Sequence, residues 1–303
     1  MVLGCQQEKG VDVEQTFAPV VKGVTIRLIM ALAFILNMLI HQIDISSAFC
    51  YANIEEDVYM KPPPEMKVEP GWCFKLFKSL YGLRASPRNW NRHLDKYIKS
   101  LHFTPSVLDP CLYYRWHDGK LALILVYVDD ILIAHKDLSF ICSIKDSFLS
   151  TFDMTDMGEM EHFLNIKITR TTNTLRMDQT TYAKKILAKF ADYIGTSKKG
   201  KKYPFPADAQ ERLADTTPET AAQRLFASCF PYRSIVGALL YLSTYTRPDL
   251  AYPVGVLARF GNDPTYAACM LAIHVLIYLR GTVDQGIQFS GSEFDMHVFS
   301  DAD

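Results

Sequence analysis

Tyr127-Val128-Asp129-Asp130 sets two adjacent carboxylates between the apolar runs 121–126 and 131–134. Two hydrophobic strands parted by turn-type residues predict a β-hairpin with the acids at its tip. Neighbouring carboxylates repel, and pressed against an apolar sheet they must protonate or meet a cation. A divalent metal ion resolves that conflict, while a plain Asp-Asp turn is the competing reading of the tetrapeptide alone. A third acid changes the balance. Residues 39–49 read as a short strand ending in Asp44, then the small residues Ser46-Ser47-Ala48, then Phe49. Two-metal nucleotidyl transfer needs carboxylates from separate strands around metal ions roughly 3.5–4 Å apart. Asp44, Asp129 and Asp130 supply that set.

The elements that must position these acids follow from pattern and punctuation. Thr25 opens an apolar helix that runs on through Leu28 to Ile40, too short to span a bilayer and interrupted by Asn37. Residues 41–60 read as a strand, a turn and an extended segment, and Pro62-Pro63-Pro64 opens a rigid loop that lasts to Gly71. Ser86-Pro87 begins a helix over 86–101 whose apolar face carries Trp90, Leu94, Tyr97, Ile98 and Leu101. The hairpin occupies about 111–135, followed by a helix over about 137–151, strands over about 161–178 and a helix from Gln179 to Tyr193. The polar stretch from Gly195 to Pro218 is the candidate internal boundary, and beyond it Tyr232 to Thr244 and Tyr266 to Leu279 read as two helices joined by Arg247-Pro248-Asp249.

Composition narrows the class. At 303 residues, 49% hydrophobic and 21% charged, the chain can build more than one core and is neither a disordered nor a membrane sequence. Seven cysteines without a CxxC pair predict reduced thiols and no zinc site, and no secretory pattern opens the chain. The expected location is therefore intracellular, cytoplasmic or nuclear, with no membrane partner. Thirty-two Lys plus Arg against 33 Asp plus Glu give no overall basic surplus for a polyanion. Local charge does: Lys75, Lys78, Arg84, Arg88, Arg92, Lys96 and Lys99 face only Asp95 between residues 74 and 99, with Tyr81, Trp90 and Tyr97 interleaved. Such a stretch can neutralise phosphates, or it is a solvated helix face whose aromatics are core. The run Lys198-Lys199-Gly200-Lys201-Lys202 reads as a surface loop.

In chain order the sequence resembles the reverse transcriptases of copia-type LTR retrotransposons along nearly its whole length. The resemblance rests on Gly10-Val11-Asp12 and Glu14 to Val21, Gln42-Ile43-Asp44 with Ala48-Phe49, Glu55 to Met60, Lys78 to Trp90, Asp109 to Tyr113 and Tyr127 to Asp130. It continues through Phe152-Asp153-Met154 with Gly158-Glu159, Tyr232-Arg233-Ser234 with Val236-Gly237, Thr246 to Ala251 and Ser300 to Asp303. It implies an α/β (α+β) right-hand polymerase: fingers and palm over 1–195, a helical thumb or connection region over 196–290, and over 291–303 the first strand of a ribonuclease H-like domain carrying Asp301. It implies catalysis and metal binding by Asp44, Asp129 and Asp130 with two Mg²⁺ or Mn²⁺ ions. Phe49 would be an aromatic wall that favours deoxynucleotides, Tyr81, Gly82 and Arg84 a loop against nucleotide and template, and Tyr127 and Val128 part of the floor near the primer end. The implied substrates are an RNA or DNA template with primer and deoxynucleoside triphosphates.

Departures from the family pattern leave alternatives open. Most of the basic fingers segment expected before Gly10 is absent, Cys50-Tyr51-Ala52 replaces a Leu-Asn-Gly turn, Asn165 replaces a glycine, and the basic pair expected near 273–276 is missing. An active polymerase fragment and a non-polymerising relic that binds nucleic acid both satisfy the sequence, as less completely does a metal-dependent phosphoesterase on another scaffold.

Overall fold

The computed structural model describes residues 4–291 apart from 9, 11, 12, 14, 64 and 196–199. Asp301 with the expected ribonuclease H strand, Val11-Asp12, Glu14 and Lys198-Lys199 lie outside the described residues. Two compact units divide the mixed α/β chain, residues 1–160 and 161–303.

In the first unit, helix α1 (Gly23–Ile35) is apolar at nearly every position and buries Ile26, Ile29, Met30 and Ala33. The expected continuation to Ile40 is corrected here: Asn37 takes a left-handed φ of 48° and strand β1 (Leu39–Ile45) begins two residues later. Asparagine tolerates that conformation, so the apolar run is cut into a helix and a strand that can pair. Next come β2 (Asn53–Met60) and β3 (Phe74–Lys78), which form an antiparallel ribbon, and α2 (Ser86–Ser100), with Pro87 in its first turn. Strands β4 (Thr104–Pro105), β5 (Leu112–His117), β6 (Lys120–Tyr127) and β7 (Asp130–His135), helix α3 (Leu138–Leu149) and β8 (Met154–Glu159) complete the unit. Its six-stranded sheet runs β4-β5-β6-β7-β1-β8 with every pairing antiparallel.

One face of that sheet, through Ile43, Ile45, Ile124, Val126, Ile131 and Ile133, shares a core with α2 and α3. Trp90, Leu94 and Ile98 recur at helical spacing on α2 and are all buried, each worth roughly 1.5–3 kcal/mol relative to exposure. The opposite face of β6 and β7 is buried too, at Leu123, Leu125, Leu132 and Ala134. Asp109 ties the start of α1 to β5 from far along the chain. One of its oxygens accepts from Lys22 N at 3.0 Å and Thr25 Oγ1 at 2.6 Å, the other from Cys111 N at 3.1 Å. A buried carboxylate at a helix N-terminus meets both the free N–H groups and the positive end of the dipole.

The second unit opens with β9 (His162–Phe163), β10 (Ile166–Arg170) and β11 (Thr174–Asp178). Helices α4 (Thr180–Lys189), α5 (Ala191–Ile194), α6 (Ala209–Ala214), α7 (Ala221–Cys229), α8 (Tyr232–Tyr245), α9 (Ala251–Ala258) and α10 (Tyr266–Gly281) follow, and β12 (Gly286–Ser290) closes the sheet order β12-β11-β10-β9. The division after residue 160 falls well ahead of 195, because Ala183, Ile186, Phe190 and Ile194 of α4, α5 and their junction bury themselves in the core built on α8 and α10. Arg247, buried in that unit, forks onto both oxygens of Asp249 at 2.9 and 2.7 Å and donates to Thr282 O at 2.9 Å, while Tyr278 Oη donates to Asp249 at 2.9 Å. The Thr246 to Asp249 motif is thus a structural lock, and α9 stands where the sequence predicts only a joint. Among the described residues no single helix is long and apolar enough to cross a membrane.

Candidate active site

The register of β1 on β7 runs from Leu39 opposite His135 to Asp44 opposite Asp130. Strands β6 and β7 close on the pair Tyr127 and Asp130, leaving Val128-Asp129 as a two-residue loop. Beyond the ladder, Ile45 N donates to Asp129 O at 3.0 Å. The register therefore sets Asp44 opposite Asp130 at the same end of the strands as the loop that carries Asp129, although Asp44 is remote from the other two in sequence.

Local geometry at the tip is costly. Val128 has φ 57°, where a β-branched residue is a genuine outlier worth roughly 1–3 kcal/mol of strain. The strained peptide is held from α2: Trp90 Nε1 donates to Val128 O at 2.7 Å. Asp130 is held from β1, where Gln42 Nε2 donates to its Oδ1 at 2.9 Å. Gln42 lies two residues before Asp44 and so shares its face of the strand.

Burial, then the charge of Asp129, raise the carboxyl of Asp44 above its ordinary range. Asp130 is raised chiefly by burial, with Asp129 and Asp44 adding to it and the Gln42 hydrogen bond opposing it. No ion pair neutralises the three acids among the described residues. As the side chains stand, no three His, Cys, Asp or Glu among the described residues group closely enough to hold a metal ion. Magnesium does not demand such a cage: one or two carboxylates, completed by phosphate oxygens and water, are its usual ligands. An all-oxygen set of mutually repelling, unpaired carboxylates fits a hard divalent cation arriving with a phosphate substrate.

Around this edge the other expected residues are placed as follows. The ring of Phe49, half-buried, lies 4.5 Å from that of Tyr81. Burial and, after it, the Asp129 charge raise the Tyr81 phenol, which puts this side chain within electrostatic reach of the acids. Gly82 has φ 103°, and its carbonyl accepts from Gly4 N at 3.0 Å. A Cβ on Gly4 would sit 2.0 Å from that oxygen, so the approach needs glycine. Arg84 turns to the same N-terminal segment, donating from its backbone to Gln7 Oε1 at 2.9 Å and from its guanidinium to Cys5 O at 3.1 Å. Tyr127 is half-buried in the ladder opposite Asp130. A cavity of about 300 Å³ lies between the segment Thr16 to Val20 and Phe49, Pro87, Trp90, Val126 and Val128.

Most of the basic stretch is engaged within the protein. Lys75 pairs with Asp57 at 2.6 Å, Arg92 with Glu55 at 3.2 Å and Lys99 with Asp95 at 2.7 Å, Lys78 donates to Tyr51 O, and Arg88 bonds Gln15. Trp90 is core, and Tyr97 packs edge-on against Phe148 and Phe152. Gln42 carries no site role in the sequence reading, Trp90 figures there only as an aromatic of the basic stretch, and Val128 only as part of the floor near the primer end. A polar Gln42 two residues before Asp44 in an apolar strand was a usable signal for the first, whereas nothing local marks the Trp90 to Val128 bond.

Known proteins resemble this chain along its length. The family model "Reverse transcriptase (RNA-dependent DNA polymerase)" matches residues 1–204. The retrovirus-related Pol polyprotein from transposon TNT 1-94 of Nicotiana tabacum is 35% identical over 309 residues, covering 100% of this chain and 23% of that protein. The corresponding polyprotein from transposon RE1 of Arabidopsis thaliana is 33% identical over 306 residues, covering 99% of this chain and 20% of that protein. A putative transposon Ty5-1 protein of Saccharomyces cerevisiae is 30% identical over 264 residues, with 86% of this chain and 82% of the relative aligned. The chain thus spans less than a quarter of the length of the two plant polyproteins.

Proposed function

From the premise that this chain belongs to the reverse transcriptase (RNA-dependent DNA polymerase) family, we propose that it performs RNA-directed DNA synthesis by two-metal nucleotidyl transfer at Asp44, Asp129 and Asp130. The observation that carries the reading is the register placing Asp44 opposite Asp130 beside the tip that presents Asp129. On this reading the first unit's sheet with α2 and α3 is the palm, the β2–β3 ribbon belongs to the fingers, and the helical second unit is the thumb or connection.

The substrates are an RNA or DNA template with its primer and deoxynucleoside triphosphates. Two Mg²⁺ or Mn²⁺ ions on the three carboxylates would supply the charge that activates the primer hydroxyl and offsets the departing pyrophosphate. The chain's own residues do the positioning. Asp44 and Asp130 hold their carboxylates in a fixed cross-strand register, and the Gln42 bond orients Asp130. Phe49, backed by Tyr81, presents a flat wall to the incoming sugar, where a 2′-hydroxyl would collide with it.

Primer extension on a primed RNA template tests the proposal. With Mg²⁺ or Mn²⁺ the chain incorporates deoxynucleotides, and Asp129→Asn lowers the rate at least about 100-fold while the circular dichroism spectrum is kept. Activity of the variant within a few-fold of the parent refutes the role of Asp129. A folded chain that binds the primed template and extends nothing is the non-polymerising relic.

A further inference from the structure

Val128 should not rest where it does. A valine at φ 57° gives up backbone energy, and its neighbours in the loop and ladder, Asp129 and Asp130, are like charges that gain by moving apart. Left to itself, a two-residue loop with this sequence has every reason to relax. What opposes relaxation is a side chain from another element: the Trp90 indole N–H, donating to Val128 O at 2.7 Å. Trp90 is only 2% exposed, so water does not compete for that carbonyl at the indole.

The indole is itself fixed. Its ring meets Phe152 edge-on at 5.7 Å and lies 6.3 Å from Tyr51. On the other side, the cavity of about 300 Å³ touches both Trp90 and Val128, so the tip is not wedged in place by close packing there. Ile45 N holds the loop through Asp129 O and the Val128 side chain rests partly on the core, but the carbonyl of the strained residue itself is held from α2 by one directional bond.

We propose that Trp90 is a positioning residue of the active site, a clamp that keeps Val128 in its left-handed conformation and thereby aims Asp129 toward Asp44. This rests on the function proposed above, and it adds a residue that touches neither metal nor substrate. Phenylalanine keeps the ring and removes the donor. Glycine at 128 accepts φ > 0 without strain and should make the clamp dispensable.

The test is Mn²⁺ binding to the full chain, followed by electron paramagnetic resonance, for the parent, Trp90→Phe, Val128→Gly, the double variant, and Asp129→Asn as the control for site identity. Leu94→Ala is the structural control, since it loosens the same helix without touching the tip. The expected result is a two- to tenfold weaker Mn²⁺ affinity in Trp90→Phe, the range one net hydrogen bond carries. The double variant should return to within about twofold of Val128→Gly, and Leu94→Ala should lower the melting temperature with affinity unmoved. Equal affinity in parent and Trp90→Phe, or a loss that glycine at 128 does not rescue, overturns the clamp.

A second readout separates the clamp from the metal. Of the three tryptophans, Trp72 and Trp116 are 68% and 66% exposed, so the indole proton that exchanges slowest with solvent should be that of Trp90. Its protection should fall in Val128→Gly. If the parent binds no Mn²⁺ but this indole is protected and responds, the metal reading fails and the clamp stands. If it exchanges as fast as the exposed pair, the clamp fails whatever the metal does.

Discussion

Neutralising a carboxylate of the proposed active site should make the metal-free protein more stable. Asp130 is the informative position, because it faces Asp44 directly across the ladder and adjoins Asp129. Like charges directly opposite on antiparallel strands cost about 0.2–1 kcal/mol, and partial solvent screening of the half-buried Asp130 keeps the sum with Asp129 near 0.5–1 kcal/mol. Asparagine retains an oxygen for the Gln42 bond while removing the charge. For a unit of 160 residues, at about 2–4 °C per kcal/mol, Asp130→Asn should raise the melting temperature by about 1–4 °C at pH 8 in EDTA. The sign of the pH dependence follows from the raised carboxyl. A folded-state value above the unfolded one penalises the ionised form, so the parent bears the cost at neutral and alkaline pH and sheds it as pH falls through the folded value. The gain of the variant should therefore vanish by pH 3. Added Mg²⁺ should invert the order, stabilising the parent by binding and the variant less. Scanning calorimetry at pH 8, 6 and 3 with EDTA or Mg²⁺ measures all of this, and a lower melting temperature for the variant at pH 8 in EDTA would refute the argument.

Two further outcomes follow from the same structure. Asp109→Asn weakens two charge-assisted bonds at the start of α1 and sets an amide donor against Cys111 N, which should cost about 2–3 kcal/mol and lower the melting temperature by roughly 5–10 °C; a shift under about 1 °C by circular dichroism contradicts the capping role. If the chain extends primers, Phe49→Val should raise ribonucleotide relative to deoxynucleotide incorporation by at least about tenfold in single-nucleotide assays, and an unchanged ratio would leave Phe49 as a core aromatic packed against Tyr81.

Local pattern carried much of this protein. The Val128-Asp129 loop, the helix from Ser86 and the strand holding Asp44 are legible because period-2 and period-3.6 apolar spacing and turn chemistry act within a few residues. The end of α1 was not, since 28–40 is uniformly apolar and only the left-handed Asn37 marks the break. Cations between 74 and 99 looked available for phosphate, and their pairing with Glu55, Asp57 and the Tyr51 carbonyl depends on partners from other strands.

The sequence by itself determined the chemistry on offer: three carboxylates, a hairpin to carry two of them, and an order of motifs shared with reverse transcriptases. Only the tertiary structure decided how those groups meet. Register between strands distant in sequence sets Asp44 against Asp130, and packing of α2 on the sheet brings an indole to Val128 and seats Trp90 in the core rather than on a nucleic-acid face. A one-residue slip of β1 would turn Asp44 to the other face with its composition unchanged, because side chains alternate along a strand. Burial of Ile43 and Ile45 on one side and Ile40 and Gln42 on the other excludes that slip, and burial is a property of the whole fold.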